Sequence, residues 1–240
     1  MTRFVSAVRA NVASLGWGNG LLYSLDRALG ALTGGRCRVF KYYLVVQPVP
    51  AHELTALPRS SRTRVFHASP TDDIIRGIPR PPEVIARRFR DGAVCLAAEN
   101  AGSLVGFIWI ALDRYDEDEV RCEYVLVPHG EVAWDFDAYV APEFRMSRVF
   151  VQLWEAANEY LRLQGYRWTA SRISAFNPAS LASHKRFGAE HCHTALFLVV
   201  GPFQLTLLSL APYVHLSAGQ SGRATLVLHA PSKRVESENP

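Results

Sequence analysis

A change of period within residues 131–176 limits the folds open to this chain more than any other feature. The piece "EVAWDFDAYVAP" (131–142) is rich in aromatic and β-branched residues and reads as a strand. Past the proline the period changes. Val149, Phe150, Leu153, Trp154, Ala157, Tyr160 and Leu161 fall on one helical stripe, and Gly165 stops it. "YRWTASRISAF" (166–176) returns to a strand. A strand–helix–strand unit of this length places its two strands parallel and next to each other.

The flanking segments read differently. "RCRVFKYYLVVQPV" (36–49), "AVCLAAEN" (93–100), "SLVGFIWIALDRY" (103–115) and "EVRCEYVLVP" (119–128) are strand candidates, and "AGS" makes a short hairpin between the second and third. Residues 50–71 are rich in Pro, Ser and Arg and read as a loop, and residues 69–92 as a helical pair broken by prolines. "NPASLASHKRFG" (177–188) is a short helix with Asn177 as cap, Pro178 at the first position and Gly188 at the stop. Residues 189–210 are extended, and "PYVHLS" and "RATLVLHAP" supply further strands. The expected class is therefore α+β: a mixed, mostly antiparallel sheet flanked by helices, with one β–α–β crossover. The expected organisation is a helical extension over 1–35, a domain over 36–230 and a polar, frayed tail over 231–240.

Residues 4–33 read as helical with a break at "GWGNG", and Leu21, Leu22, Leu25, Leu29 and Leu32 lie at helical spacing. Packing of this amphipathic helix on the domain is expected, because its polar face is not strongly cationic; contact with a membrane surface is the alternative. No apolar run reaches the ~18 residues that span a bilayer. Arg9 and Asn11 interrupt the amino-terminal apolar pattern, so no secretory signal is expected and the cytoplasm is the default. The four cysteines, Cys37, Cys95, Cys122 and Cys192, are far apart, which argues against a zinc site or a disulfide scaffold. Net charge is +4, but residues 1–90 hold 14 Lys and Arg against 5 Asp and Glu, while residues 91–240 hold 12 against 17. A basic amino-terminal part fits a solvated arginine-rich surface or an anionic partner: a membrane surface, nucleic acid or a phosphorylated ligand.

Two segments carry candidate chemistry. A strand ending at "VAP" and a helix starting near Arg145–Ser147 aim backbone N–H groups at the junction, and the helix dipole there favours an anion. Arg145 and Arg148 add charge-assisted contacts to a phosphate, or are simply solvated. On the second segment, Ser180 and His184 share a helix face at i, i+4.

Val140, Pro142, Phe144 and Arg145, followed by Asn177, Ser180, His184 and Gly188, make the chain over roughly 36–200 resemble the GNAT superfamily of acyl-CoA-dependent N-acetyltransferases. The resemblance implies acetyl-CoA or another acyl-CoA as co-substrate, no metal, and an amine acceptor that is a small molecule or a peptide; specific nucleic-acid binding is not expected. It implies that Tyr139, Val140, Arg145, Met146, Ser147, Arg148, Val149 and Phe150 contact the acyl-CoA, together with Asn177 and Ser180. It also implies direct attack of the amine on the thioester, with backbone amides near Tyr139 and Val140 holding the thioester oxygen. Asp135, Asp137 and Tyr139 alternate onto one strand face, and either Asp137 or Asp135 is expected to act as base or amine-binding group. Where the family has a tyrosine acid this chain has His184; an unperturbed pKa of ~6.5 suits a general acid near neutrality. Arg148 and Phe150 stand where the family usually has glycines, whose role is close backbone approach to the pyrophosphate. Those departures keep a second reading open, a GNAT-like module that binds acyl-CoA or a partner without catalysis.

Three other patterns are weaker. His191 and His193 share a strand face with no third ligand beside them, and "DEDE" (116–119) lacks the spacing and glycine of a Ca²⁺ loop. "GWGNG" precedes no dinucleotide-binding βαβ unit.

Overall fold

The computed structural model describes residues 2–52, 62–219 and 222–231, and only the backbone of residues 2–5. Residues 232–240 of the tail expected over 231–240, and residues 53–61 of the loop expected over 50–71, lie outside the described residues. In chain order the elements are α1 (Thr2–Leu15), α2 (Trp17–Leu32), β1 (Cys37–Pro48), β2 (Thr63–Ala68), a 3₁₀ turn (Asp73–Gly77), α3 (Pro82–Arg90), β3 (Val94–Asn100), β4 (Ser103–Ala111), β5 (Arg114–Asp116), β6 (Cys122–Val127) and β7 (Val132–Val140). A second 3₁₀ turn (Pro142–Phe144) leads to α4 (Val149–Leu163), β8 (Trp168–Ser174), α5 (Pro178–Arg186), β9 (Glu190–Val200), β10 (Phe203–Leu208), β11 (Val214–Ala218) and β12 (Ala224–His229).

The chain forms two compact units. Among the described residues, one gathers 48–52, 62–115, 126–170 and 229–231. In it β2, β3, β4 and β7 pair antiparallel in that order, and the first three residues of β8 run parallel to Val132–Trp134. That parallel pair is the expected crossover, and α4 is its connection. The C-terminus of α4 shows why Gly165 stops it. Tyr166 N–H donates to Leu161 O at 2.9 Å and Gly165 N–H to Arg162 O at 3.1 Å, with Gly165 at φ +87. This pair of bonds closes the last turn and needs a left-handed residue, which glycine adopts at no steric cost. The core of this unit packs Ala68, Ile75, Ile78, Ile85, Cys95, Ala97, Phe107 and Trp109, with Phe136 and Tyr139 against it.

Residues 63–68 form β2 inside the segment read as a loop, because Val65, Phe66 and Ala68 find a partner in β3 that the surrounding serines and arginines obscure. The strand expected over 103–115 is interrupted at Leu112–Asp113 and resumes as β5.

The other unit gathers, among the described residues, 2–47, 116–125, 171–219 and 222–228. Here β1, β9, β10 and β11 pair antiparallel, and Ala175 N–H donates to Lys41 O at 2.8 Å. The helices α1 and α2 cross closely. A Cβ on Gly20 would lie 2.6 Å from Val12 Cα, so "GWGNG" supplies a crossing point rather than a ligand loop. The leucine stripe of α2 does not pack as expected. Its buried residues are Gly20, Ser24 and Asp26, while Leu21, Leu25 and Leu32 are exposed. Two polar networks cause this. Asn11 donates to Ser24 at 3.1 Å, and Asp26 accepts from Arg38 Nε at 2.8 Å and from Val39 N–H at 2.9 Å. Buried polar groups with partners in place set the roll of the helix, and the leucines take what surface remains.

Among the described residues no helix is long and apolar enough to cross a membrane, and no cluster of three metal-ligating side chains occurs.

Candidate active site

The strand β7 delivers the first part of the site. Opposite β4, Phe107 pairs with Tyr139 and Trp109 with Phe136, so two steps on β4 face three on β7. The extra residue is a β-bulge, and Asp137 sits in it at φ +48. An L residue with a side chain rarely adopts this conformation, and aspartate is among the few that tolerate it.

The bulge corrects the expectation that Asp135, Asp137 and Tyr139 share one face. Phe136 and Tyr139 lie on the same side, stacking with Trp109 and Phe107 at 6.3 and 5.3 Å between centroids. Asp135 therefore faces the other way and is buried.

Asp137 is held from α3 and the segment before it. Arg80 Nε donates to Oδ2 at 2.9 Å, and Arg80 also donates through its terminal nitrogen to Oδ1. Arg88 donates to Oδ2 at 2.6 Å. Arg88 is buried, its guanidinium 5.0 Å from the Phe136 ring centre and 5.4 Å from that of Trp109. Both oxygens of Asp137 are thus committed to charge-assisted bonds from guanidinium donors. A carboxylate so engaged is poorly placed to remove a proton. Nearby Cys95 is no nucleophile either, since burial pushes its thiol up to about 12. The arginine partners lie 57 and 49 residues upstream of Asp137, in the segment read only as a proline-broken helical pair.

The turn after β7 is ordered by its own hydroxyl. Ser147 Oγ donates to Phe144 O at 2.6 Å and accepts from Val149 N–H at 3.3 Å. Arg145 and Arg148 are exposed, and Met146 is fully so. The first i→i−4 bond of α4 runs from Gln152 N–H to Arg148 O, so the amides of Val149, Phe150 and Val151 precede it and mark the dipole's positive end. Arg148 has φ −84 and ψ 1, which any residue adopts. The turn needs no glycine for its backbone path, and the side chain of Arg148 points into solvent. Phe150 is half-buried, its ring 6.4 Å from that of Trp154.

A glycine does matter one strand away. A Cβ on Gly106 would lie 2.8 Å from Tyr139 O, 3.0 Å from Leu153 Cδ1 and 3.1 Å from Val149 Cγ1. The first turn of α4 therefore rests directly on the β4 backbone. A lone glycine in "SLVGFIWI" was the available sign of such an approach. We expect Gly106→Ala to lower stability by about 1–3 kcal/mol through overpacking. It should also weaken any ligand held at the α4 N-terminus. Thermal melts paired with calorimetric titration of acetyl-CoA check both; an unshifted melt would mean the helix relaxes freely.

The remaining expected residues belong to the other unit. Asn177 Oδ1 accepts from Ser180 N–H at 3.1 Å, so Asn177 caps α5. His184 is buried, and burial lowers its pKa to about 4. The expectation of an acid titrating near neutrality is corrected accordingly: at pH 7 the ring is neutral and has no imidazolium proton to give. His191 is exposed and Nε2 lies 3.1 Å from Thr194 Oγ1. The acidic run serves ion pairs. Glu117 takes Arg172 at 2.7 and 2.8 Å, Glu119 accepts from Tyr42 at 2.7 Å, and Asp116 pairs with Arg223 at 2.5 Å.

The family model for the acetyltransferase (GNAT) family matches residues 58–189, more than half of the chain. The chain belongs to the GNAT acetyltransferase family, and its mixed, mostly antiparallel sheet with the β–α–β crossover is that family's fold. No curated protein sequence matches it. Similar solved structures include a functionally unknown conserved protein from Staphylococcus epidermidis, at 13% identity and TM-score 0.49, with 75% of this chain and 67% of that one covered. A tandem GNAT protein from the clavulanic acid biosynthesis pathway matches at 17% identity and TM-score 0.49, with 72% and 57% covered. The aminoglycoside N-acetyltransferase AAC(6')-Iy in complex with CoA matches at 21% identity and TM-score 0.42, with 53% and 92% covered. The chain thus spans only 57% of the tandem protein's length.

Proposed function

We propose that this chain is an acyl-CoA-dependent N-acyltransferase, most simply an N-acetyltransferase acting on a primary amine of a small molecule or peptide. The observation that carries the reading is the turn at 142–149: a strand-to-helix junction at the positive end of α4, beside the exposed Arg145 and Arg148, with Glu143 its one acidic residue. That donor set fits a pyrophosphate. In this reading the amine nitrogen attacks the thioester carbonyl, the C–N bond forms and the C–S bond breaks. Backbone amides beside the β7 bulge receive the developing oxyanion.

Asp137 then anchors the bulge, holding those amides in place through Arg80 and Arg88. The amine loses its proton to water. The departing thiolate, with an ordinary thiol pKa of ~8.5, regains a proton from solvent and does not require His184.

The test is calorimetric titration of acetyl-CoA followed by assay of CoA release over a panel of amines. Saturable binding with turnover on at least one amine is expected. Arg145→Ala and Arg148→Ala should each weaken CoA binding, with a smaller difference from the parent at high salt, as phosphate contacts require. Failure to bind acetyl-CoA sinks the proposal. The clamped Asp137 and neutral His184 favour one rival, a module that binds acyl-CoA without catalysis; binding without turnover on any amine would select it.

A further inference from the structure

We propose that the outward face of α2 is a docking surface for an anionic lipid bilayer. Trp17 is 76% exposed, Leu21 50%, Leu25 47% and Leu32 83%. At ~100° per residue these four, with Ala28 between them, fall within an arc of about 80°. The stripe holds no polar side chain. It is also fixed outward: rolling α2 to bury the leucines would break the Asp26–Arg38 pair, the Asp26 bond to Val39 N–H and the Asn11–Ser24 bond.

Charge decides the occupant. Residues 1–52 contain six basic residues (Arg3, Arg9, Arg27, Arg36, Arg38 and Lys41) and one acidic residue, Asp26, which is buried in its ion pair. Arg9, Arg27 and Arg36 are exposed on the helices and just past them. An apolar stripe accompanied by exposed arginines, with no exposed carboxylate among the described residues of 1–52, matches an anionic membrane surface, where leucine and tryptophan enter the headgroup boundary and arginines meet the phosphates. A second copy meeting this one through the same face would set the arginines of one α1–α2 segment against those of the other, and Asp26, the segment's one acidic residue, is buried in its ion pair. Nucleic acid would leave the leucines without an apolar partner.

The tryptophans make the test specific. Of the five, Trp109, Trp134 and Trp154 are at most 1% exposed and Trp168 is 7%, so only Trp17 is open to a quencher in the bilayer. The full chain is floated with phosphatidylcholine vesicles with and without phosphatidylglycerol, and fluorescence is read with lipids brominated on the acyl chain. Expected results are flotation with the anionic vesicles only, quenching of an exposed tryptophan, and loss of both in the Leu21→Glu/Leu25→Glu variant at an unchanged melting temperature. Absence of flotation with anionic vesicles overturns the proposal, as does undiminished flotation of the variant. So does concentration-dependent self-association of the parent that the variant abolishes, since that assigns the face to a second copy.

Discussion

Arg88→Met is expected to lower stability by about 3–5 kcal/mol, because it leaves a half-buried carboxylate short of a partner and removes the guanidinium that lies over the Trp109 and Phe136 rings. The side chains of Arg88 and Asp137 are 8% and 12% exposed, so solvent screens their contact little. Arg80, at 35%, cannot replace Arg88 from its own position at the rim. For a chain of 240 residues the loss corresponds to a melting temperature lower by about 6–20 °C. Asp137→Asn should also destabilise, since it removes the carboxylate charge that faces Arg88 while keeping a residue that tolerates the left-handed backbone. The double variant should lose clearly less than the sum of the two, as residues in one network do. Chemical denaturation of the four proteins measures this. Strict additivity would show that the two side chains act independently and would remove Asp137 as the anchor of the bulge.

The second large effect is on pH. His184 has its folded pKa lowered by burial to about 4, against an ordinary 6.5. Below pH 6.5 the unfolded chain binds a proton that the folded one refuses. The stability present above pH 6.5 is therefore lost as pH falls, and the loss is complete near pH 4. The full difference amounts to about 3 kcal/mol. His184→Gln should lack this slope while sharing whatever acid sensitivity the carboxylates impose. If parent and variant melt in parallel between pH 6.5 and 4, the ring is not the source. The same displacement means that an acyl-transfer rate profile should show no limb near pH 6.5 belonging to this histidine.

What the sequence disclosed and what it hid divide by range. The stripe from Val149 to Leu161, its stop at Gly165 and the crossover they build depend on neighbours within a few positions, and all could be read directly. So could Asn177 as a cap. The guanidinium clamp depends on Arg80 and Arg88 returning from a distant segment, and no local pattern announces it. The burial of His184 was equally invisible, since its neighbours Lys185 and Arg186 suggest an exposed helix. The leucines of α2 misled for a different reason. Helical spacing shows that residues share a face, and the polar groups on the opposite side decided which face went inward.

The bulge in β7 leaves that strand with two reading frames. Alternation counted from Val132 holds through Phe136, and a fresh count begins at Tyr139. Phe136 and Tyr139 are thus two aromatic rings three positions apart on one side of an extended chain. Three is a helical interval. A pattern search that trusts spacing alone is drawn toward helix at the very residues where the bulge resets the strand's register.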